Sequence, residues 1–184
     1  MTEGLELVSV GDDKTRAAAK ELLEEYLEWF NSTALESYGL TFDIGGMAAS
    51  DIEDTQKFYP PNGRFYLVVH EDKFVGVGCL KRLDDDIGEV QRMYVRPSAR
   101  GLGAGRLIID RLIADARTIG YRTLRLESLK VLTAAHKIYR AVGFVDIPPY
   151  SGHGMDDYQS PGGATINADN TFFMEMNLLN TVKV

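Results

Sequence analysis

The apolar residues of the first third of the chain recur at two different spacings. In LELVSV, Leu5–Val10, they are dense enough for a short strand. In DDKTRAAAKELLEEYLEWF, by contrast, Ala19, Leu22, Leu23, Tyr26 and Phe30 recur three and four residues apart and so share one helical face. Asp12 or Asp13 is placed to cap that helix. A second helical region covers Met47 to Phe58 and must stop before Pro60-Pro61, because proline lacks the N–H a helix needs and clashes with the preceding turn.

Three strands follow in close succession. RFYLVVH, Arg64–His70, turns at EDK into FVGVGCLKRL, and DDD turns into IGEVQRMYVR, an antiparallel meander. In the last of these, alternation places Val90, Arg92 and Tyr94 on one face and Glu89, Gln91, Met93 and Val95 on the other. Pro97 ends the strand. A helix is then expected from Arg106 to Ile119, stopped by Gly120 in the left-handed conformation. RTLRLES, Arg122–Ser128, is the next strand, so residues 89–128 form a strand–loop–helix–strand unit. A helix from Thr133 to Val142 ends at Gly143, and FVDI opens another strand. The segment 148–170 is rich in Gly, Pro, Asp and Ser and reads as a long loop. TFFMEMNLL alternates as the final strand. The first 145 residues hold no internal repeat, low-complexity tract or linker, so the whole of 1–184 is expected to be one domain.

Composition narrows this picture. With 184 residues, 45% hydrophobic and 26% charged, the chain can bury a core and is too short to need a second domain. Nothing approaches the roughly 18 consecutive apolar residues of a membrane span. MTEGLELVSV lacks the basic start and apolar run of a secretory signal, so a cytoplasmic protein without a membrane partner is expected. The single cysteine, Cys79, excludes a disulfide framework and reads as an inert buried strand residue. His70 and His153 belong to no cluster of metal-ligand spacing, so no metal is expected, and His136, one turn before Tyr139, is a weak candidate for an acceptor pocket. The net charge of −7 argues against nucleic-acid binding. It is unevenly spread: residues 92–125 hold eight arginines against Asp110 and Asp115, giving +6 there and −13 elsewhere. Arg111 and Arg117 are solvated helix charges, whereas Arg92, Arg96, Arg100 and Arg106 crowd a glycine-rich loop. The acids Asp84–Asp86 and Asp156-Asp157 read as turn charges.

That loop is RGLGAG, Arg100–Gly105, set directly before a good amphipathic helix. Each glycine gives up about 1 kcal/mol of helix propensity relative to alanine. The compensation is chemical. A helix start exposes unpartnered N–H groups and partial positive charge, and glycines let an anion such as a pyrophosphate approach the backbone closely. Arg100 and Arg106 would add charge-assisted contacts. The dinucleotide fingerprint fails because the sixth position counted from Gly101 is Arg106, and the triphosphate loop fails because no Gly-Lys-Ser/Thr occurs. What remains is R-x-x-G-x-G preceded by MYVRP.

The stretch GEVQRMYVRPSARGLGAGRLIIDRLIADARTIGY resembles the coenzyme-A motif of the GNAT family, the GCN5-related N-acetyltransferases. AAHKIYRAVGF is similar to that family's A-x-x-x-Y-x-x-x-G-F helix and strand. The resemblance runs from about Arg64 to Phe144 and resumes at the last strand. It implies an α/β (α+β) domain with a central mixed, mostly antiparallel sheet of about seven strands, splayed at the cofactor cleft and flanked by about four helices. It also implies acetyl-CoA as cosubstrate. Backbone groups of Met93 and Val95 would hold the pantetheine, an N–H near Met93 or Tyr94 would polarise the thioester carbonyl, and Arg100, Gly101, Leu102, Gly103, Ala104, Gly105 and Arg106 would hold the pyrophosphate. Glu89 stands where several members carry a glutamate base, and Tyr139 where many carry the acid that protonates the departing thiolate.

Two departures from the family pattern stand out. The frequent asparagine seven residues before Tyr139 is Leu132, and the 148–170 loop, with Tyr150, His153 and Tyr158, is longer than usual. The expected activity is direct transfer of an acetyl group to a primary amine of a small molecule or peptide, in a ternary complex. The alternatives are a noncatalytic acyl-CoA-binding or sensing module, and an interaction protein with no cofactor. The resemblance also suggests a homodimer.

Overall fold

A computed structural model describes residues 4–151 and 168–179. The chain opens with strand β1 (Leu5–Ser9) and helix α1 (Asp13–Tyr38). Asp12 caps α1 by accepting from the Thr15 amide at 2.7 Å, while Thr15 Oγ1 accepts in return from the Asp12 amide at 3.1 Å. The helix continues two turns beyond Phe30, because Ala34 extends the buried stripe of Leu27 and Phe30. It stops at Gly39, which is left-handed at φ 68°. Helix α2 (Met47–Glu53) is shorter than its sequence predicts. Asp54 Oδ1 accepts from the Gln56 amide at 2.9 Å, and this local turn diverts the chain so that Phe58 can be fully buried.

Strands β2 (Arg64–His70), β3 (Lys73–Arg82) and β4 (Ile87–Val95) form the expected meander. The β2–β3 turn is the two residues Glu71 and Asp72, both at positive φ, and Asp84 Oδ1 stabilises the β3–β4 turn by accepting from the amides of Asp86 and Ile87. A single turn of 3-10 helix at Pro97–Ala99 leads into α3 (Ala104–Ile119), which begins two residues before the expected start. Then come β5 (Thr123–Leu129), α4 (Thr133–Val142), β6 (Val145–Ile147) and β7 (Thr171–Asn177). The sheet order is β1-β2-β3-β4-β5-β7-β6, antiparallel except between β4 and β5.

The sheet separates two cores. On one face α1 and α2 pack Leu22, Leu23, Leu27 and Phe30 against Phe65, Leu67, Val77 and Cys79. On the other, α3 and α4 pack Ile108, Ile109, Leu112 and Tyr139 against Val68, Leu80, Leu124 and Leu126. Burial raises the Cys79 thiol well above its ordinary pKa, as suits an unreactive core residue.

The simple alternation expected along β4 is broken. Gly76 and Val77 pair with Val95 and Tyr94, but Cys79 pairs with Gln91, so Arg92 and Met93 together face Gly78 in a β-bulge. Arg92 takes the extra turn at φ 55°. Val90, Met93 and Val95 consequently face the α3 core, while Tyr94 joins the α1 core and Arg92 reaches Asp51 of α2. The cause lies across the strand. A Cβ at Gly78 would stand 2.3 Å from Ile108 Cγ2 and 3.0 Å from Met93 Sδ, so α3 sits directly on this glycine and β4 bows around the contact.

Candidate active site

β4 and β5 are paired only at Ile87–Thr123, Gly88–Leu124 and Glu89–Arg125, and diverge beyond. The bulge increases local twist and turns the end of β4 away from its parallel neighbour. The resulting cleft holds about 550 Å³. Its walls are Met93, Tyr94 and Val95 of β4, the loop before α3, the α4 residues Ala135, Ile138 and Tyr139, and Trp29 of α1.

At one end of the cleft the glycines take up their expected positions with one difference. Gly101 and Gly103 are left-handed at φ 83° and 94°, a region glycine enters without a Cβ penalty. Gly105 instead lies inside the first turn of α3. Gly103 is the N-cap and provides no side-chain acceptor, so no side chain caps the first amides of α3. Gly101, Gly103, Ala104, Gly105 and Arg106 all border the cleft. Leu102 stands outside its lining and is 40% exposed.

The four arginines divide. Arg92 Nε donates to Asp51 Oδ2 at 2.7 Å in a buried pair, and Lys57 Nζ donates to the other oxygen of Asp51 at 2.7 Å. Arg96 ties the end of β4 to α1 through Glu21 and Glu25. Arg100 and Arg106 stay on the cleft wall. Arg100 Nε donates to the Val95 carbonyl at 3.1 Å with its guanidinium 5.5 Å above the Trp29 ring, and Arg106 pairs with Asp110 in a half-exposed contact. The Val95 carbonyl therefore already accepts one hydrogen bond.

Tyr139 borders the cleft and also a second, smaller cavity of about 80 Å³ that passes between the diverging strands. Burial, reinforced by Tyr26, raises its phenol well above the ordinary value, so it is protonated throughout the neutral range. The small cavity is polar on its α1 side, where Gln91, Arg92 and Glu127 meet Tyr26 and Trp29. Glu89 does not border it. That carboxylate is fully buried and accepts from Gln91 Nε2 and, at 2.9 Å, from Tyr150 Oη. Burial and the charge of Glu89 push the Tyr150 phenol far upward.

Glu127 is a residue the sequence reading passed over. The signal is present in RLES, because an acid two residues after Arg125 on a strand of buried leucines must face the same side as Glu89, whose register partner is Arg125. His136 lies apart from both cavities, where Nε2 stands 3.1 Å from Ser128 Oγ and burial lowers its pKa. Asp84 spends its carboxylate on its own turn. Leu132 occupies the N-cap of α4 without a capping hydrogen bond and adds apolar surface to both cavities. His153, Asp156, Asp157 and Tyr158 lie outside the described residues. Among the described residues no helix is long and apolar enough to cross a membrane.

Comparison with known proteins agrees with this architecture. An uncharacterized N-acetyltransferase of Schizosaccharomyces pombe is 28% identical over 134 residues, covering 71% of this chain and 77% of the relative. The crystal structure of an acetyltransferase from Streptococcus agalactiae shares the fold with a TM-score of 0.70 at 17% identity, covering 95% of this chain and 99% of the other. A putative acetyltransferase from Salmonella typhimurium, solved with its cofactor acetyl-CoA, matches with a TM-score of 0.63 at 18% identity over 98% and 97% of the two chains. The model of the Acetyltransferase (GNAT) family matches residues 19–144, more than half of the sequence, and the chain belongs to that family.

Proposed function

We propose that the protein is an acetyl-CoA-dependent N-acetyltransferase that acetylates a primary amine by direct transfer. The observation that carries this reading is a cleft whose walls include both a helix start without a side-chain cap and a buried tyrosine. The left-handed glycines and the N-cap without a side-chain acceptor suit the pyrophosphate of coenzyme A, with Arg100 and Arg106 beside it. Trp29 and the exposed backbone edge of Met93–Val95 suit the pantetheine arm.

An amine with an ordinary pKa of about 10.4 arrives as ammonium and must lose a proton before it can attack. Its nitrogen then bonds to the thioester carbonyl carbon, the carbon–sulfur bond breaks, and sulfur takes a proton from Tyr139. Glu127 borders the small cavity and would accept the proton there. Glu89, the base proposed from the sequence, lies behind Gln91 and Tyr150 and would act through water.

The test is thiol release from acetyl-CoA against a library of polyamines, aminoglycosides, amino acids and peptides. Turnover on at least one amine is expected, with kcat about 10²- to 10⁴-fold lower in Tyr139→Phe. CoA binding, read from fluorescence of the chain's single tryptophan, Trp29, is expected to persist in that variant. Glu127→Gln and Glu89→Gln separate the two carboxylates. CoA binding without turnover on any amine would instead indicate a noncatalytic module.

A further inference from the structure

Gln91 is 5% exposed, stands opposite Cys79 on the α1 face of β4, and lines the small cavity. Its carboxamide donates at one end and accepts at the other. Nε2 donates to Glu89 Oε2. The NH₂ group is therefore the end of the amide turned toward Glu89, which also accepts from Tyr150 Oη. Oε1 is thereby fixed on the opposite side, where it is buried and accepts no hydrogen bond among the described residues. Leaving a buried acceptor unmatched is costly, and native structures seldom do so without a use for it. Glu89 is in turn held by Tyr150 Oη, whose ring packs edge-on to Phe173 at 5.6 Å and lies 4.8 Å from the Arg125 guanidinium. Tyr150, Glu89 and Gln91 thus form a chain that leads from the loop after β6 to the cavity.

We infer that Gln91 Oε1 holds an N–H of the amine as its nitrogen attacks, and that Glu89 is the positioning residue that keeps this oxygen turned toward the amine. The inference rests on the acetyl-transfer reading and deepens it by giving a reason for the substrate class. A neutral primary amine has two N–H bonds. One hydrogen is held by Gln91 and remains as the amide hydrogen of the product, while the other leaves as a proton to the base when the N–C bond forms. A secondary amine carries carbon in place of one of these hydrogens, so either the Gln91 contact or the proton transfer is lost, and the tertiary amide product has no N–H to offer.

Two measurements test this. In the first, the best amine from the acceptor screen and its N-methyl derivative are compared with wild type, Gln91→Met and Glu89→Gln. Gln91→Met keeps the shape and removes the acceptor. It is expected to raise KM for the primary amine about 10- to 100-fold, leave KM for acetyl-CoA within about twofold, and reduce the preference for primary over N-methyl amine by a similar factor. Glu89→Gln, which both donates and accepts, frees the Gln91 amide to turn and is expected to erode the same preference. If Gln91 only fills space, or binds a structural water, both variants lose stability and retain the preference, which would overturn the inference.

The second measurement needs no turnover. The side-chain NH₂ resonances of Gln91, assigned by their loss in Gln91→Met, are followed in the CoA-bound wild-type protein as propylamine or tetramethylammonium is added. Propylamine is expected to shift them and tetramethylammonium, which is charged but has no N–H, to leave them in place. Equal shifts, or none with propylamine, would refute the role of Gln91 even if the screen finds an active acetyltransferase. A shift with propylamine in a protein that acetylates nothing would uphold Gln91 and refute the catalytic reading.

Discussion

Gly105→Ala separates what the glycine does for the fold from what it does for a ligand. Gly105 lies in the first turn of α3, so alanine should gain up to about 1 kcal/mol of helix propensity. Against this stands one contact. The new Cβ would lie 3.2 Å from Ile138 Cδ1, the mobile end of a side chain that yields by a few tenths of an ångström. The ligand-free protein is therefore expected to melt between its original temperature and about 4 °C higher, since about 1 kcal/mol moves a domain of this size by roughly 2–4 °C. The ligand should be affected in the opposite sense. A helical Cβ leans toward the N-terminus, here over the amides that would receive the pyrophosphate, and displaced Ile138 is itself a cleft wall.

With CoA at 100 times its wild-type Kd, binding adds about 2.7 kcal/mol of stability. A tenfold weaker Kd in the variant would reduce that to about 1.4 kcal/mol, roughly halving the CoA-induced rise in melting temperature. Differential scanning fluorimetry with and without CoA reads both effects. Gly101→Ala serves as the control of opposite sign: a Cβ there meets nothing within 4 Å, but φ 83° costs an alanine about 1–2 kcal/mol. If Gly105→Ala kept the full CoA-induced rise, the glycine would have no part in phosphate binding and the cradle argument would fail.

Other outcomes follow from buried charge and titration. Asp51→Ala removes a buried carboxylate that accepts from both Arg92 Nε and Lys57 Nζ. A loss of about 3–5 kcal/mol is expected in urea unfolding, and a loss under 1 kcal/mol would show the pair to be superficial. His136 has a folded pKa below its unfolded value of 6.5, so its contribution is fully present above pH 6.5 and declines as pH falls and the unfolded chain takes up the proton. Wild type should lose up to about 1.4 kcal/mol per pH unit more than His136→Gln between pH 6.5 and the lower folded value, whereas parallel curves would exclude the linkage.

The order and type of the elements were legible because apolar spacing along α1, α3 and the β2–β4 meander is dictated locally. The glycine-rich loop before α3 was legible for a related reason, since its glycines interrupt an otherwise regular amphipathic pattern. What escaped depended on partners distant in sequence. The bulge at Arg92–Met93 answers Ile108 pressing on Gly78, a contact that no window along β4 contains, so alternation grouped Val90 with Arg92 and Tyr94, which lie on the opposite face. α2 ended early because the Asp54 side chain captured the Gln56 amide, a competition that periodicity does not register. Glu127 lies on β5, outside both motifs, and nothing local in RLES marks its acid as a site residue. Its relevance becomes visible once register places Arg125 beside Glu89.

The three residue pairs joining β4 to β5 have a mechanical consequence. They divide the sheet into two panels, β1–β4 and β5–β7, whose ladder hydrogen bonds to each other are confined to one short seam while the α3 and α4 core spans both. A long ligand lying between the panels and gripping both would serve as a second binding further along. Backbone amides of Met93 and Val95 should then exchange with solvent more slowly when it is present, because it would tie together the open ends of the two panels.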